Sequence, residues 1–264
     1  MIYKTALITG ASTGIGAMFA QVLAAEGSHL VLVARSADKL HQLATDLEQQ
    51  FGIQVCIIPQ DLTQPDAALR VYEAIAQQGI TVDLLVNNAG SGDYGEFGQR
   101  SHHRQSEMIK LNILSLVEMT HLVLPQMQQR QSGGIINIAS ITGFQPVPYL
   151  AVYAATKAFI IHFSEALWAE NYQTGVKVLV VCPGPTRTDF FAVADMERNP
   201  GLMAAQTYED SHRLVKQALK ALSAGKSTLV TGGWKNQAIA NGSRFTPRQW
   251  LAKLLEPTFR PPNS

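Results

Sequence analysis

The chain has 264 residues, 46% of them apolar and 16% charged, and a net charge of +1. That is enough chain to bury a sizeable core. The near-neutral balance gives no reason to expect nucleic acid or a strongly charged surface as partner. The two cysteines, Cys56 and Cys182, both stand in apolar runs and are expected as reduced strand residues rather than a disulfide. The N-terminus reads straight into a strand pattern with no targeting peptide. No apolar run approaches the roughly 20 residues of a membrane span. A soluble, cytoplasmic protein is expected.

Residues 3–9 form a short apolar run ended by Gly10, which predicts a buried parallel strand. Thr9-Gly-Ala-Ser-Thr-Gly-Ile-Gly16 follows, and then Ile15, Phe19, Val22 and Leu23 recur at helical spacing. Strand, glycine-rich turn and helix in that order aim backbone N–H groups and a helix N-terminus at a phosphate. The second strand, 29–34, ends in Ala34-Arg35-Ser36. In nucleotide folds an acidic residue here bonds a free ribose 2′-hydroxyl, whereas a basic one accommodates a 2′-phosphate. Arg35 therefore predicts NADP(H) over NAD(H).

Residues 38–50 are amphipathic on Leu40, Leu43 and Leu47, with Ser36 or Asp38 as the expected cap. Strand 55–58 closes at Pro59 and is followed by Asp61-Leu62, helix 65–78, and strand 84–86 running into Asn87-Asn88-Ala89-Gly90. Residues 101–130 read as one long helical tract with a kink or break at Pro125. Asn112 lies within that tract among apolar neighbours, an unfavourable place for it without a purpose. Strand 134–139 ends at Ser140. The loop 144–149 leads into a long helix from about 149 to 171, on which Tyr153 and Lys157 stand four apart and share a face. A phenol beside an ammonium is expected to have a lowered pKa and to exchange protons nearer neutral pH. Strand 176–182, the segment Pro183-Gly184-Pro-Thr186-Arg-Thr188, an irregular Phe- and Met-rich stretch 189–205, helix 208–223, strand 228–231 and a helix near 247–255 complete the chain. The alternation predicts an α/β fold: one Rossmann-type, doubly wound parallel sheet of about seven strands with helices on both faces, in a single domain spanning 1–264.

In this order the motifs resemble the short-chain dehydrogenase/reductase family, through residues 4 to about 188, and are similar to its ketoacyl and hydroxysteroid reductase group. The resemblance implies that Gly10, Ser12, Thr13, Gly14, Ile15, Gly16, Arg35, Ser36, Asp61, Leu62, Asn88, Ala89 and Gly90 hold a nicotinamide dinucleotide. Pro183, Gly184, Thr186 and Thr188 would close over the nicotinamide, and Tyr153 and Lys157 would contact it. It further implies a catalytic set of Asn112, Ser140, Tyr153 and Lys157. Tyr153 would exchange the proton, Ser140 orient the substrate oxygen, Lys157 tune Tyr153 and bond the ribose, and Asn112 position a relay water. No metal is implied. Thr13 stands where some NADP(H)-using members carry a basic residue, so the cofactor preference rests on Arg35.

The expected activity is hydride transfer between NADP(H) and a carbonyl or secondary alcohol. The apolar content of 189–205 suggests an apolar ketone or a 3-oxoacyl compound as the small-molecule substrate. A homodimer or homotetramer is expected, joined through the helices at 101–130 and 149–171. The alternative is a catalytically silent, cofactor-sensing regulator on the same fold, which loss of a catalytic side chain would favour; all four are present.

Overall fold

The computed structural model describes residues 3–186, 188–204, 208–242 and 246–262. Seven strands, β1 (Thr5–Thr9), β2 (His29–Ala34), β3 (Val55–Pro59), β4 (Leu84–Asn87), β5 (Gly133–Ile138), β6 (Val176–Cys182) and β7 (Thr228–Val230), form one sheet in the order β3-β2-β1-β4-β5-β6-β7. Every pairing is parallel. The strands alternate between two cores, as the two-residue period of a strand requires. Ala6, Ile8, Leu30, Leu32, Leu84 and Val86 face one side. There they pack with Phe19 and Leu23 of α1 (Gly14–Ala25), Leu40 and Leu47 of α2 (Ala37–Phe51), and Leu214 and Leu222 of α9 (Ser211–Ser223). Leu7, Val31, Val33 and Leu85 face the other, against Val71 and Ile75 of α3 (Ala67–Gln77) and Met119 and Val123 of α5 (Ser115–Gln129). Both faces are covered, which is why these strands read as continuous apolar runs.

The long tract after β4 departs from expectation. Helix α4 (His102–Ile109) passes into α5 through a π-helical turn, Lys110–Leu114, while Pro125 sits inside α5 without ending it. The irregularity thus falls around Asn112, and a π-turn is how a helix admits one extra residue. This stretch also corrects the expectation about apolar runs. His102–Gln129, 28 residues with a mean hydropathy of 1.3 over its best window, is long and apolar enough to cross a membrane. Three of its polar side chains, Asn112, Ser115 and Thr120, are buried inside the protein.

Beneath the strand ends, Asn87 Nδ2 donates to Thr120 Oγ1 and Asn137 Oδ1, both at 2.9 Å, and Asn137 Nδ2 donates to Ser164 Oγ at 2.9 Å. Ser164 belongs to α6 (Ala151–Glu170), so this buried polar chain ties β4, β5, α5 and α6 together. Ser36 takes the N-cap position of α2, but its side chain makes no capping bond. The stretch 189–205 is less irregular than expected, with short helices α7 (Phe190–Val193) and α8 (Pro200–Ala204). An unforeseen helix, α10 (Trp234–Gly242), follows β7. The last helix, α11 (Arg248–Phe259), continues through Pro257, beyond its expected end at 255.

Replacing Asn137 with alanine leaves the Asn87 amide and the Ser164 hydroxyl short of partners in a dry interior. It should cost about 1–3 kcal/mol in urea unfolding with the m-value unchanged.

Candidate active site

Parallel strands β1 and β4 adjoin at the centre of the sheet, and the chain leaves them in opposite directions. In open α/β sheets the ligand crevice lies at this switch point, outside the carboxyl ends of the strands. The glycine turn stands there. Gly10 has φ +64°, and a Cβ on it would lie 2.8 Å from Ala89 Cα. A Cβ on Gly16 would lie 2.5 Å from Asn88 Nδ2 and closer still to the Gly10 carbonyl oxygen. Asn88 braces the turn: Nδ2 donates to the carbonyls of Thr9 and Gly10, both at 3.0 Å. Thr9 Oγ1 in return accepts from the Asn88 and Ala89 amides at 3.0 and 3.1 Å. Helix α1 then begins at Gly14 with no side-chain cap from Thr13 and no acidic residue in its first turn. Its leading N–H groups are the donors that an anionic phosphate satisfies.

The other predicted binding residues follow the carboxyl ends of β2, β3, β4 and β6. Arg35 and Ser36 are exposed at the end of β2. Asp61 lies close enough for the Arg35 charge to act on it. Burial alone would raise the Asp61 carboxyl, but bonds from Thr63 N and Oγ1 and the Arg35 charge together hold it below its ordinary value. Leu62 is buried in the core beside α3. Across the crevice Ile141 N donates to the Pro183 carbonyl at 3.0 Å, joining the ends of β5 and β6. The Thr188 methyl sits 2.9 Å from where a Gly14 Cβ would be, so Thr188 lies against the start of α1. Gly184 has a different reason to be glycine than a cofactor. Asn236 of α10 fills the space its Cβ would take and donates to the Thr231 carbonyl at 2.7 Å.

Tyr153 and Lys157 lie on the inner face of α6, both buried. Lys157 Nζ donates to the Ile138 carbonyl at 2.9 Å and stands 5.6 Å from the Tyr153 ring centroid. The Ser140 hydroxyl is the hydrogen-bonding neighbour of the Tyr153 phenol. Ser140 Oγ also accepts from Thr142 N at 3.2 Å, capping the 3-10 turn Ile141–Phe144. The electrostatics correct the expectation for the tyrosine. In the protein alone burial pushes the Tyr153 phenol up to about 12, and Ser140 offsets only part of that. Burial pulls Lys157 down to about 8. The lysine alongside does not offset the loss of water around the phenol, so desolvation outweighs proximity.

The Asn112 amide is largely committed to the protein. Nδ2 donates to the Ser91 carbonyl and to Thr156 Oγ1, both at 3.0 Å, and Oδ1 accepts from Ser91 N at 2.9 Å. One lone pair of Oδ1 remains. It and Lys157 Nζ lie 3.2 and 3.5 Å from the point where a Gly90 Cβ would sit, so both open on one gap.

Residues 4–199 match the short chain dehydrogenase family. The chain belongs to the short-chain dehydrogenase family. It is 32% identical over 256 residues to the very-long-chain 3-oxoacyl-CoA reductase of Mus musculus, covering 95% of this chain and 78% of that protein. The Bos taurus protein of the same name is 38% identical over 182 residues, 67% of this chain and 58% of the relative. Among solved structures, the short-chain dehydrogenase from Sphingobium yanoikuyae in complex with NADPH superposes with a TM-score of 0.81 at 31% identity, over 94% of this chain and 95% of that one. The bulky-bulky ketone specific alcohol dehydrogenase from Comamonas testosteroni gives 0.78 at 29% identity, over 96% and 95%. The protein is an oxidoreductase of carbonyl and alcohol groups, on a fold that binds a nicotinamide cofactor.

Around this short-chain dehydrogenase core the structure adds residues that sequence reasoning passed over. Phe190 rests on the Tyr153 ring, centroids 5.1 Å apart at 45°. Tyr94 Oη donates to the Phe259 carbonyl at 2.7 Å and accepts from Asn199 Nδ2 at 2.9 Å. Tyr149 Oη donates to Glu256 Oε1 at 2.5 Å. Asp93 and Asp195 are clasped by Arg100 and Arg104, which tie the 190–204 segment to the loop after β4. The partners in these pairs are separated by up to 165 positions, so no local pattern announces them.

Two measurements test the site. Gly16→Ala should keep the far-ultraviolet circular dichroism yet weaken NADPH binding more than ~10-fold in a fluorescence titration, since backbone must shift at the phosphate turn. Stability of the cofactor-free protein should rise between pH 8 and pH 9. Lys157 has lost its proton in the folded chain there but holds it when unfolded, its ordinary value being 10.5. Above the ordinary thiol value of 9 the buried Cys182, whose thiol burial pushes up, begins to oppose this; Tyr153 does so above 10. Thermal melts of Lys157→Met against pH should lack the rise.

Proposed function

We propose that the protein is an NADPH-dependent reductase of an apolar ketone, with 3-oxoacyl compounds as the favoured substrate class. The observation that carries this is the meeting of Tyr153, Ser140 and Lys157 at the carboxyl ends of β5 and β6, beside the uncapped glycine turn and under an apolar roof. The cofactor, when bound, supplies the hydride. Tyr153 gives its proton to the oxygen of the reduced carbonyl, and Ser140 orients that oxygen beside it. Lys157 would bond the nicotinamide ribose, and in its charged form it lowers the phenol. Asn112 Oδ1 and Lys157 Nζ, opening on the gap beside Gly90, suit a water through which the tyrosine is re-protonated. In this reading Arg35, exposed at the end of β2 with Ser36 at the open N-terminus of α2, takes the 2′-phosphate.

The substrate reading rests on chemistry rather than on fold. Solved relatives range from the bulky-ketone enzyme to an L-sorbose reductase at 28% identity, so the architecture alone does not choose. The cluster that holds Tyr153 supports an apolar substrate: Tyr94, Val147, Leu150, Phe191, Ala194, Met196 and Leu202 are buried there, with Phe190, Met203 and Phe259 packed against them. Such a wall suits an acyl chain or bulky ketone and offers little to a sugar. The two relatives named as very-long-chain 3-oxoacyl-CoA reductases support the same class. A homodimer or homotetramer fits the apolar side chains Ile109, Leu114 and Phe159 left exposed on the two long helices.

Tyr153→Phe should bind NADPH as the parent does and lose about 10²–10⁴-fold in turnover of 3-oxoacyl and bulky ketone substrates followed at 340 nm. Retained turnover would remove Tyr153 from the mechanism. Arg35→Asp should lower the ratio of kcat/KM for NADPH over NADH by more than ~10-fold; an unmoved ratio rejects the role given to Arg35.

A further inference from the structure

The segment after β7 has a composition unlike the rest of the chain. Residues 231–264 carry five basic side chains (Lys235, Arg244, Arg248, Lys253 and Arg260) against the single acid Glu256. The whole chain is only +1, so the remainder is net negative. Two of the three tryptophans are here, and both are strongly exposed, Trp234 and Trp250 each at 75%. On α11, Trp250, Lys253, Leu254 and Pro257 recur at three- and four-residue spacing and share one face. Every one of them is exposed, Leu254 at 73%. The opposite face, Leu251, Leu255 and Phe259, is half-buried against the protein. The acid Glu256 is turned away from the outer face, held by Arg260 and Tyr149. The helix is thus apolar on both sides, and on its outer side the only charge is positive.

We propose that this outer face of α11 docks the protein peripherally on an anionic membrane surface. A tryptophan and a leucine side by side, with a lysine between them and no acid, match the residue types that settle at a lipid headgroup boundary. The lysine head reaches the phosphates while its stem lies along the apolar surface. The surrounding basic residues add attraction to anionic lipid. A second copy of the same face is disfavoured, because it would set like charges against each other. The inner side of α11 reaches the cluster around Tyr153 through Phe259, and Tyr94 and Asn199 bond the backbone of Phe259 and Arg260. The docking helix is therefore continuous with the wall of the site. The inference does not depend on which carbonyl is reduced.

The test is sedimentation of the full-length protein with vesicles of phosphatidylcholine alone and of phosphatidylcholine mixed with phosphatidylglycerol, with tryptophan emission recorded alongside. Binding is expected only to the anionic vesicles, with a blue shift, and is expected to weaken as salt is raised. The double variant Trp250→Gln/Leu254→Gln, and separately Lys253→Glu, should bind at least ~10-fold more weakly. These positions are exposed, so both variants should keep the parent melting temperature and the parent's NADPH affinity. Absence of binding to anionic vesicles, or equal binding by the variants, overturns the proposal. So does a concentration-dependent dimer in ultracentrifugation that the same substitutions abolish, since that would make a second copy the occupant.

Discussion

The side chain of Asn88 holds the carbonyls of Thr9 and Gly10 at the junction between β1 and β4. Much of the site follows from those two bonds. They fix the glycine turn against the end of the neighbouring strand, so the turn cannot relax away from the crevice. Gly16 must lack a side chain because the braced carbonyl of Gly10 and the amide of Asn88 already fill that space. With the turn fixed, α1 starts at a defined point with its leading N–H groups uncapped. A phosphate site made of backbone needs this rigidity, since backbone donors act only where they are held.

Below that junction a buried chain of side-chain hydrogen bonds runs through Asn87, Asn137 and Ser164. The chain ends on α6, the helix that carries Tyr153 and Lys157. The same burial sets the protonation of both residues. It holds the phenol up and the ammonium down, so in the protein alone the tyrosine stays a protonated phenol rather than an activated phenolate. Such a pair responds to whatever charge enters the crevice, because in a desolvated place each added charge counts for more. The π-turn at Asn112 belongs to the same construction. It turns an amide from a long helix into the interior, where the amide clasps Ser91 and Thr156 and leaves one lone pair facing the gap that Lys157 also faces.

The substrate side is assembled differently. The loop after β4, the short helices of 190–204 and the C-terminal helix meet through Tyr94, Asn199 and the Asp93–Arg100–Asp195 contacts. The C-terminal stretch is bonded to this wall by Glu256, by the carbonyls of Phe259 and Arg260, and by the Phe259 side chain. The wall beside Tyr153 is therefore spread over three segments far apart in sequence, whereas Ser140, Tyr153 and Lys157 sit on two neighbouring elements.

The sequence by itself determined the fold class, the seven strands in their chain order, and the glycine turn. Each is written in a local pattern: apolar runs for strands covered on both faces, helical spacing for α2 and α9, and glycines where backbone must pass closely. Tertiary structure alone decided what those patterns left open. The break in the long helix lies at Asn112 rather than Pro125, because the pull of a buried amide toward Ser91 and Thr156 is a contact between distant segments. The Tyr153 phenol is raised rather than lowered, because spacing shows a lysine nearby but not how much water the fold removes from both. Gly184 answers to Asn236, and the tail closes on the site, for the same reason: a side chain's neighbours across the fold are set by packing, which no window of sequence contains.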